Sequence, residues 1–287
     1  MIGAEAVTGS PGAAVPGWFE AVLLGVVEGL TEFLPVSSTG HLIVAQRALG
    51  LAEGEASNAF AIGIQLGAIT AVLVLYWRRL VDAARTVARP QRGEPNLLLQ
   101  IAVAAVPAVV VGLLFEDWID EHLFSARVVA VTLVIGGVLL LWLERHLRGR
   151  PARVEEVAHM SYRTALLVGV WQCLALVPGT SRSGATIGGA LVHGLSRTAA
   201  AEFSFLVGLP ILYGASLYKL YKVRDALSGE LLAPFVIGTA VSFVAAIAVV
   251  RPFVAFLRAH DFVPFAWYRI LAGGALLAWL EGTASAG

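Results

Sequence analysis

The chain has 287 residues, with 20 Lys plus Arg against 20 Asp plus Glu, 58% hydrophobic residues and only 14% charged ones. A soluble domain carries roughly 45–50% apolar and about 25% charged residues, so this chain has too little polar surface to cover an aqueous globule, and bilayer is its main solvent. The same numbers exclude a disordered chain and a nucleic-acid binder driven by net charge, and a single cysteine, Cys173, excludes a disulfide scaffold.

Before residue 16 the only charge is Glu5. No basic stretch precedes an apolar one there, so no cleavable signal peptide is expected. The first apolar stretch, residues 18–49, contains Glu20, Glu28, Glu32, His41 and Arg47 and is broken at Pro35. Uncharged windows follow at residues 56–77, 95–115 and 128–143. A second interrupted stretch, residues 164–195, contains Arg182 and His193 and is broken at Pro178-Gly179. Two more uncharged windows lie at 203–218 and 231–250, and a last apolar stretch at 265–280 is interrupted near one end by Arg269.

At about 1.5 Å per residue the longer of these six windows cross a hydrocarbon core of about 30 Å, and the shortest do so with a flanking residue or two that snorkels. The two interrupted stretches read differently. Each is two short helices meeting at a polar turn. Such backbone survives at membrane depth only where it is buried in protein or lines a watery cavity. The expected fold is therefore an all-α integral membrane protein, with six transmembrane helices plus two re-entrant helical hairpins. The whole chain, 1–287, reads as a single membrane domain.

The loops carry an orientation. Residues 78–94 hold five arginines, and residues 144–163 hold Arg145, Arg148, Arg150, Arg153 and Arg163. Between them Glu116, Asp117, Asp120 and Glu121 make an acidic segment. The positive-inside rule puts both arginine-rich segments in the cytoplasm. Lys219, Lys222 and Arg224 then fall outside, against the rule.

The two interrupted stretches resemble each other. Gly25-Val26-Val27-Glu28-Gly29-Leu30 aligns with Gly169-Val170-Trp171-Gln172-Cys173-Leu174, and Pro35-Val36-Ser37-Ser38 aligns, after a one-residue gap, with Pro178-Gly179-Thr180-Ser181. Each is followed by three spans, so the second half enters from the opposite side. This is an inverted-topology repeat with broken helices meeting near the midplane. Its halves are expected at residues 17–144 and 160–281.

The turns carry chemistry. Glu28 and Glu32 are four residues apart and share a helix face. Two carboxylates in a low dielectric persist when one is protonated or a cation lies between them. Mg²⁺ uses one or two carboxylates plus substrate phosphate in this way. Ser37, Ser38 and Thr39 precede a helical stretch whose amides form an anion site. His41 lies one helical turn from Ser38 and can exchange a proton with its hydroxyl. In the second turn Thr180, Ser181 and Ser183 flank Arg182, a guanidinium whose planar fork suits phosphate. The alternative is a structural ion pair of Arg182 with Glu28 or Glu32, which is also a fitting resting state for a phosphate site. Carboxylates, an arginine clamp, hydroxyls, a histidine and two helix N-termini are an inventory for phosphoryl transfer. A site inside the membrane fits a lipid phosphate or diphosphate.

At these residues the sequence resembles the undecaprenyl-diphosphate phosphatase family, known also for bacitracin resistance. The matching stretches are residues 25–41, 60–77 with Ile64-Gln65-Leu66-Gly67, 171–186, and 194–205 with Ser196-Arg197-Thr198-Ala199-Ala200-Ala201-Glu202-Phe203. The resemblance runs in order through nearly the whole chain after its first eighteen or so residues. It implies hydrolysis of undecaprenyl diphosphate to undecaprenyl phosphate, which recycles the lipid carrier of cell-wall synthesis in the bacterial plasma (inner) membrane. It also implies a divalent cation, Mg²⁺ or Ca²⁺, on Glu28 and Glu32. Catalytic roles carry over to Glu32, Ser38, His41 and Arg182, and substrate binding to Ser37, Thr39, Thr180, Ser181, Ser183 and Arg197.

Three mechanisms remain open: Ser38 as nucleophile helped by His41, His41 as nucleophile, and a metal-activated water. The alternative function is a polyprenyl-phosphate transporter or flippase on the same inverted-repeat fold. An anion channel with Arg182 as filter leaves the Glu28–Glu32 pair unexplained. The expected partners are the lipid substrate and membrane lipids, not nucleic acid. Small-residue faces such as 63–67 and Gly273-Gly274 can pack within one chain or in a homodimer.

Overall fold

The computed structural model describes residues 16–51, 55–88, 95–123, 125–222 and 232–284. Expectations on the first fifteen residues and on Arg89, Arg92 and Arg224 lie outside the described residues. The helices run in chain order as α1 (Trp18–Thr31), α2 (Ser38–Ala48), α3 (Glu55–Ala88), α4 (Leu97–Leu123), α5 (Ala126–Leu147), α6 (Tyr162–Gln172), α7 (Arg182–Val192), α8 (Arg197–Lys222), α9 (Leu232–Phe256) and α10 (Val263–Ala284). Among the described residues the sole extended pairing is an isolated bridge between Val154 and Leu195.

Six helices are long and apolar enough to cross a membrane: α3, α4, α5, α8, α9 and α10. They correspond to the six uncharged or nearly uncharged windows. Several outrun those windows. α3 continues past Trp77 through Arg78, Arg79 and Asp82, and α8 begins at Arg197. The reason is physical: a charged side chain ends the hydrocarbon span, because of its hydration, but does not end the backbone hydrogen-bond ladder.

The other four helices are short. α1 has 14 residues, and α2, α6 and α7 have 11 each. At about 1.5 Å per residue none spans a core of about 30 Å. They come in two pairs, α1–α2 and α6–α7, at the two stretches broken in the sequence. Between α6 and its turn lies one short 3₁₀ segment, Cys173–Leu176.

Packing relates the halves. α1 lies along α9 and α6 along α4, while α3 packs against α8 and α5 against α10. The core is aromatic and aliphatic, with Phe33, Phe203, Phe205 and Phe262 fully buried. Large apolar side chains such as Leu113, Leu114, Val244 and Leu271 point outward, as they do where lipid replaces water as the solvent. Arg79 and Glu202 pair at 2.6 Å between α3 and α8, at the arginine-rich end of the bundle.

Candidate active site

Both short pairs break in the same way. Pro35 follows α1, and Pro178 follows the 3₁₀ segment. A proline lacks the amide that would extend a helix and pushes the preceding residue away from helical backbone. Beyond each proline the chain turns through a serine with positive φ, Ser37 at 69° and Ser181 at 72°. These are the only non-glycine residues with positive φ among the described residues. Such backbone costs on the order of 1–3 kcal/mol and persists only where its surroundings impose it. Each serine caps the next helix. The hydroxyl of Ser37 accepts from the amide of Gly40 at 3.4 Å, and that of Ser181 from the amide of Gly184 at 3.1 Å. Capping therefore pairs Ser37 with Ser181 and Ser38 with Arg182, one residue off the alignment read from the sequence. The extra residue is Gly179, whose φ of 86° lets the second turn pass Thr132, where a Cβ would overlap the threonine hydroxyl.

The first residues of α2 and α7 then meet. The Ser38 hydroxyl donates to Oε2 of Glu32 at 2.6 Å, and Nη2 of Arg182 donates to Oε1 of the same carboxylate at 2.8 Å. Nη1 of Arg182 donates to the carbonyl of Ser204 at 2.6 Å, and the Thr186 hydroxyl donates to that of Ser204 at 2.6 Å. Ser183 donates to the carbonyl of Leu34 at 2.8 Å, stitching the second turn to the first, and its hydroxyl lies 3.0 Å from that of Ser181. Glu32, Ser38, Arg182, Ser181 and Ser183 thus share one buried cluster. Thr39 lies beside it, at the start of α2.

His41 takes different partners from those its spacing suggested. Nδ1 lies 2.7 Å from the carbonyl of Ser37, and Nε2 lies 2.5 Å from the hydroxyl of Tyr268 on α10. A carbonyl only accepts, so Nδ1 carries the proton, and in the neutral ring Nε2 accepts from Tyr268. The two rings stack with centroids 5.5 Å apart.

Glu28 is fully buried, and neither of its carboxylate oxygens has a hydrogen-bond partner. The same is true of both amide atoms of Gln172, the residue that aligns with Glu28 in the sequence, and Nε of Arg182 is also buried without a partner. An unmatched carboxylate at such depth is costly, so Glu28 fits a cation or a proton. Among the described residues no three His, Cys, Asp or Glu side chains stand close enough to hold an ion unaided. A hard cation takes such carboxylate oxygens together with other oxygen ligands.

Arg197 is not part of this cluster. It makes a two-pronged pair with Glu144 at 2.9 and 2.5 Å, and Glu144 also accepts from the amide of Phe262 at 3.0 Å. The pair ties the start of α8 to the end of α5 and the start of α10.

Arg269 was legible only as an interruption in a span, yet it holds the site together. It is 1% exposed and donates to five carbonyls: Pro35 in the first turn, Gly179 and Thr180 in the second, and Thr132 and Leu133 on α5. A Cβ on Gly136 would overlap Nη2 of Arg269, which explains glycine at that position. Its signal in the sequence was available: a charge inside an apolar span is a functional marker by default. Tyr268, Ser204 and Thr186 carried no such signal, because a hydroxyl in a helix is as often solvated or back-bonded as it is functional.

A family model described as bacitracin resistance protein BacA matches residues 21–275. The chain is 49% identical over 262 residues to the undecaprenyl-diphosphatase of Polaromonas sp. strain JS666, covering 90% of this chain and 94% of that one. It is 48% identical over 265 residues to undecaprenyl-diphosphatase 1 of Chromobacterium violaceum, covering 92% and 97%. It is 44% identical over 262 residues to the undecaprenyl-diphosphatase of Lacticaseibacillus paracasei, covering 90% and 96%.

Proposed function

This chain belongs to the bacitracin resistance protein BacA family, and we propose that it is a multi-pass membrane hydrolase that removes the terminal phosphate of undecaprenyl diphosphate. The products are undecaprenyl phosphate, the lipid carrier reused in cell-wall synthesis, and inorganic phosphate. Removing that diphosphate from the membrane is consistent with the bacitracin resistance in the family's name. The cell's inner membrane is the location that this role calls for.

The hydrogen bond between Ser38 and Glu32 carries the chemical reading. Glu32 accepts the Ser38 proton as Oγ bonds to the terminal phosphorus. The bond from that phosphorus to the bridging oxygen breaks, and undecaprenyl phosphate leaves with the bond electrons. Water then releases phosphate from Ser38. Arg182, held against Glu32 at 2.8 Å, turns to the phosphate oxygens as charge develops there. Ser37, Thr39, Thr180, Ser181 and Ser183 surround the anion with hydroxyls and helix amides. His41, backed by Tyr268, exchanges protons with water or the leaving oxygen. Glu28, with Glu32, would hold Mg²⁺ or Ca²⁺, which would neutralise the diphosphate.

The two short helix pairs are re-entrant hairpins, and residues 17–144 and 160–281 are inverted-topology repeats of one membrane domain. The matched positive-φ serines support this, as does the matched packing of α1 on α9 and α6 on α4. The repeat explains why two apolar halves put their polar turns face to face.

Phosphate release from undecaprenyl diphosphate by the purified protein, with and without EDTA and beside Ser38→Ala and Arg182→Ala, tests the reading. Metal-dependent release that both variants lose is expected. No release by folded wild type with metal present would sink it and bring forward lipid transport on the same fold. Release retained by Ser38→Ala alone would leave His41 or water as nucleophile.

A further inference from the structure

Lys219 breaks the charge asymmetry of the loops. It lies near the C-terminal end of α8, opposite the end that carries Arg197, Arg79 and the arginine-rich segments. It is half-buried, and it makes no hydrogen bond or ion pair among the described residues. Lys222, one turn on, lies 4.4 Å from the Tyr218 ring, so the two lysines are not equivalent. A half-buried ammonium that no described carboxylate meets is costly unless an anion visits it.

Lys219 lines a cavity of about 600 Å³ between α2, α3, α5 and α8. The inner lining includes Thr39, next to Ser38, and Pro178, at the start of the second turn. Arg47, Gln65 and Ser125 give it polar wall, Arg47 being engaged in an interaction of its own, and Leu42 and Ile43 give it apolar wall. The cavity therefore joins the tips of both short helix pairs to the bundle end where Lys219 sits, and its mixed walls suit an amphiphile.

We infer that this cavity is the vestibule in which the phosphates of the lipid substrate are captured before they reach Ser38, with Lys219 as the recruiting cation. The inference rests on the hydrolase reading and adds a substrate-binding residue to it. The ligand class is a diphosphate ester of a long isoprenoid alcohol, its tail leaving along the apolar wall. A lysine suits the task. Its ammonium is a compact charge on a flexible stem, able to follow a moving phosphate, whereas the planar fork of Arg182 suits a fixed one. The charge is on the unfavoured side of the topology rule because it serves substrate rather than orientation.

The test uses the full chain in detergent with farnesyl diphosphate as substrate, comparing wild type, Lys219→Met and Lys219→Arg. Lys219→Met keeps the apolar stem. It is expected to raise KM about tenfold, the loss of one charge-assisted hydrogen bond, with kcat within about twofold. It should also flatten the salt dependence of kcat/KM. Lys219→Arg should restore most of both. A parallel readout needs no turnover: inorganic diphosphate should raise the Tm of wild type, and less so that of Lys219→Met. If wild type turns over but Lys219→Met has unchanged KM, salt dependence and diphosphate shift, the vestibule is overturned and the hydrolase stands. If wild type fails to turn over yet Lys219→Met loses the diphosphate shift, the hydrolase falls and the anion vestibule stands. A lower Tm for Lys219→Met without diphosphate, with unchanged KM, assigns Lys219 to the end of α8 and overturns the inference.

Discussion

Ser38 gives its hydrogen bond to Glu32, at 2.6 Å, and not to His41. The spacing of Ser38 and His41 had suggested that pair, because residues three apart on a helix are neighbours. The backbone of the first turn instead brings Glu32, at the end of α1, back to the first residue of α2. The carboxylate then serves two partners at once, the hydroxyl and Arg182.

Glu32→Gln keeps the shape and removes the base. Turnover should fall by about 10²–10⁴, the usual scale for losing a positioned base. Phosphate release measured on protein whose Tm is within a few degrees of wild type checks this. Activity near wild type would assign the proton of Ser38 elsewhere.

Arg182→Lys keeps the charge but not the fork. One ammonium cannot reach both Glu32 and the carbonyl of Ser204 with the planar geometry seen here. The expected loss in kcat is about 10²–10³. A lysine variant with wild-type kcat would reduce Arg182 to a point charge.

Arg269→Met should act through both turns. It leaves the carbonyls of Pro35, Gly179 and Thr180 without this donor in a buried region, while those of Thr132 and Leu133 keep their α5 amides, and each unsatisfied group costs about 1–3 kcal/mol. A large drop in Tm is expected, together with loss of phosphate release. Gly136→Ala should give a milder copy of the same phenotype, since its methyl would displace the guanidinium. Thermal unfolding in detergent reads both. Unchanged Tm in both variants would dissociate Arg269 from the stability of the turns.

Tyr268→Phe removes the hydroxyl that meets Nε2 of His41 and keeps the stacked ring. Turnover should fall by about tenfold or less, in line with one lost hydrogen bond, with KM and Tm unchanged. Steady-state kinetics with farnesyl diphosphate decide this. Wild-type turnover would show that the ring alone positions His41.

Glu28→Gln tests the metal. Its carboxylate is buried with both oxygens unpartnered, so the amide should weaken cation binding. The Mg²⁺ concentration for half-maximal phosphate release should rise by roughly tenfold or more, on the scale of losing a charged ligand. An unchanged requirement would move the cation away from Glu28.

The parts visible in sequence share one physical origin. Hydrocarbon spans announce themselves by the absence of charge, so all six long helices were placed by composition alone. Pro35 and Pro178 announce breaks because proline cannot continue a helix. Helix ends were less legible: α3 and α8 run beyond their uncharged windows because hydration, not propensity, sets where charge begins. Arg197 was grouped with the site because a motif carries no distance. Its two-pronged pair with Glu144 puts it in a separate cluster.

The residue types, the two turns and their burial in a bilayer-spanning chain were determined by the sequence itself, because the cost of charge in hydrocarbon leaves few places for Glu28, Glu32 and Arg182. Who bonds whom was decided only by the tertiary structure. His41 with Tyr268, and Arg269 with both turns, are contacts between segments up to 234 residues apart, whereas Ser38 meets Glu32, six residues back, through the backbone of the first turn. Hydrogen bonds act over about 3 Å, and no local pattern encodes which distant helix will supply the partner.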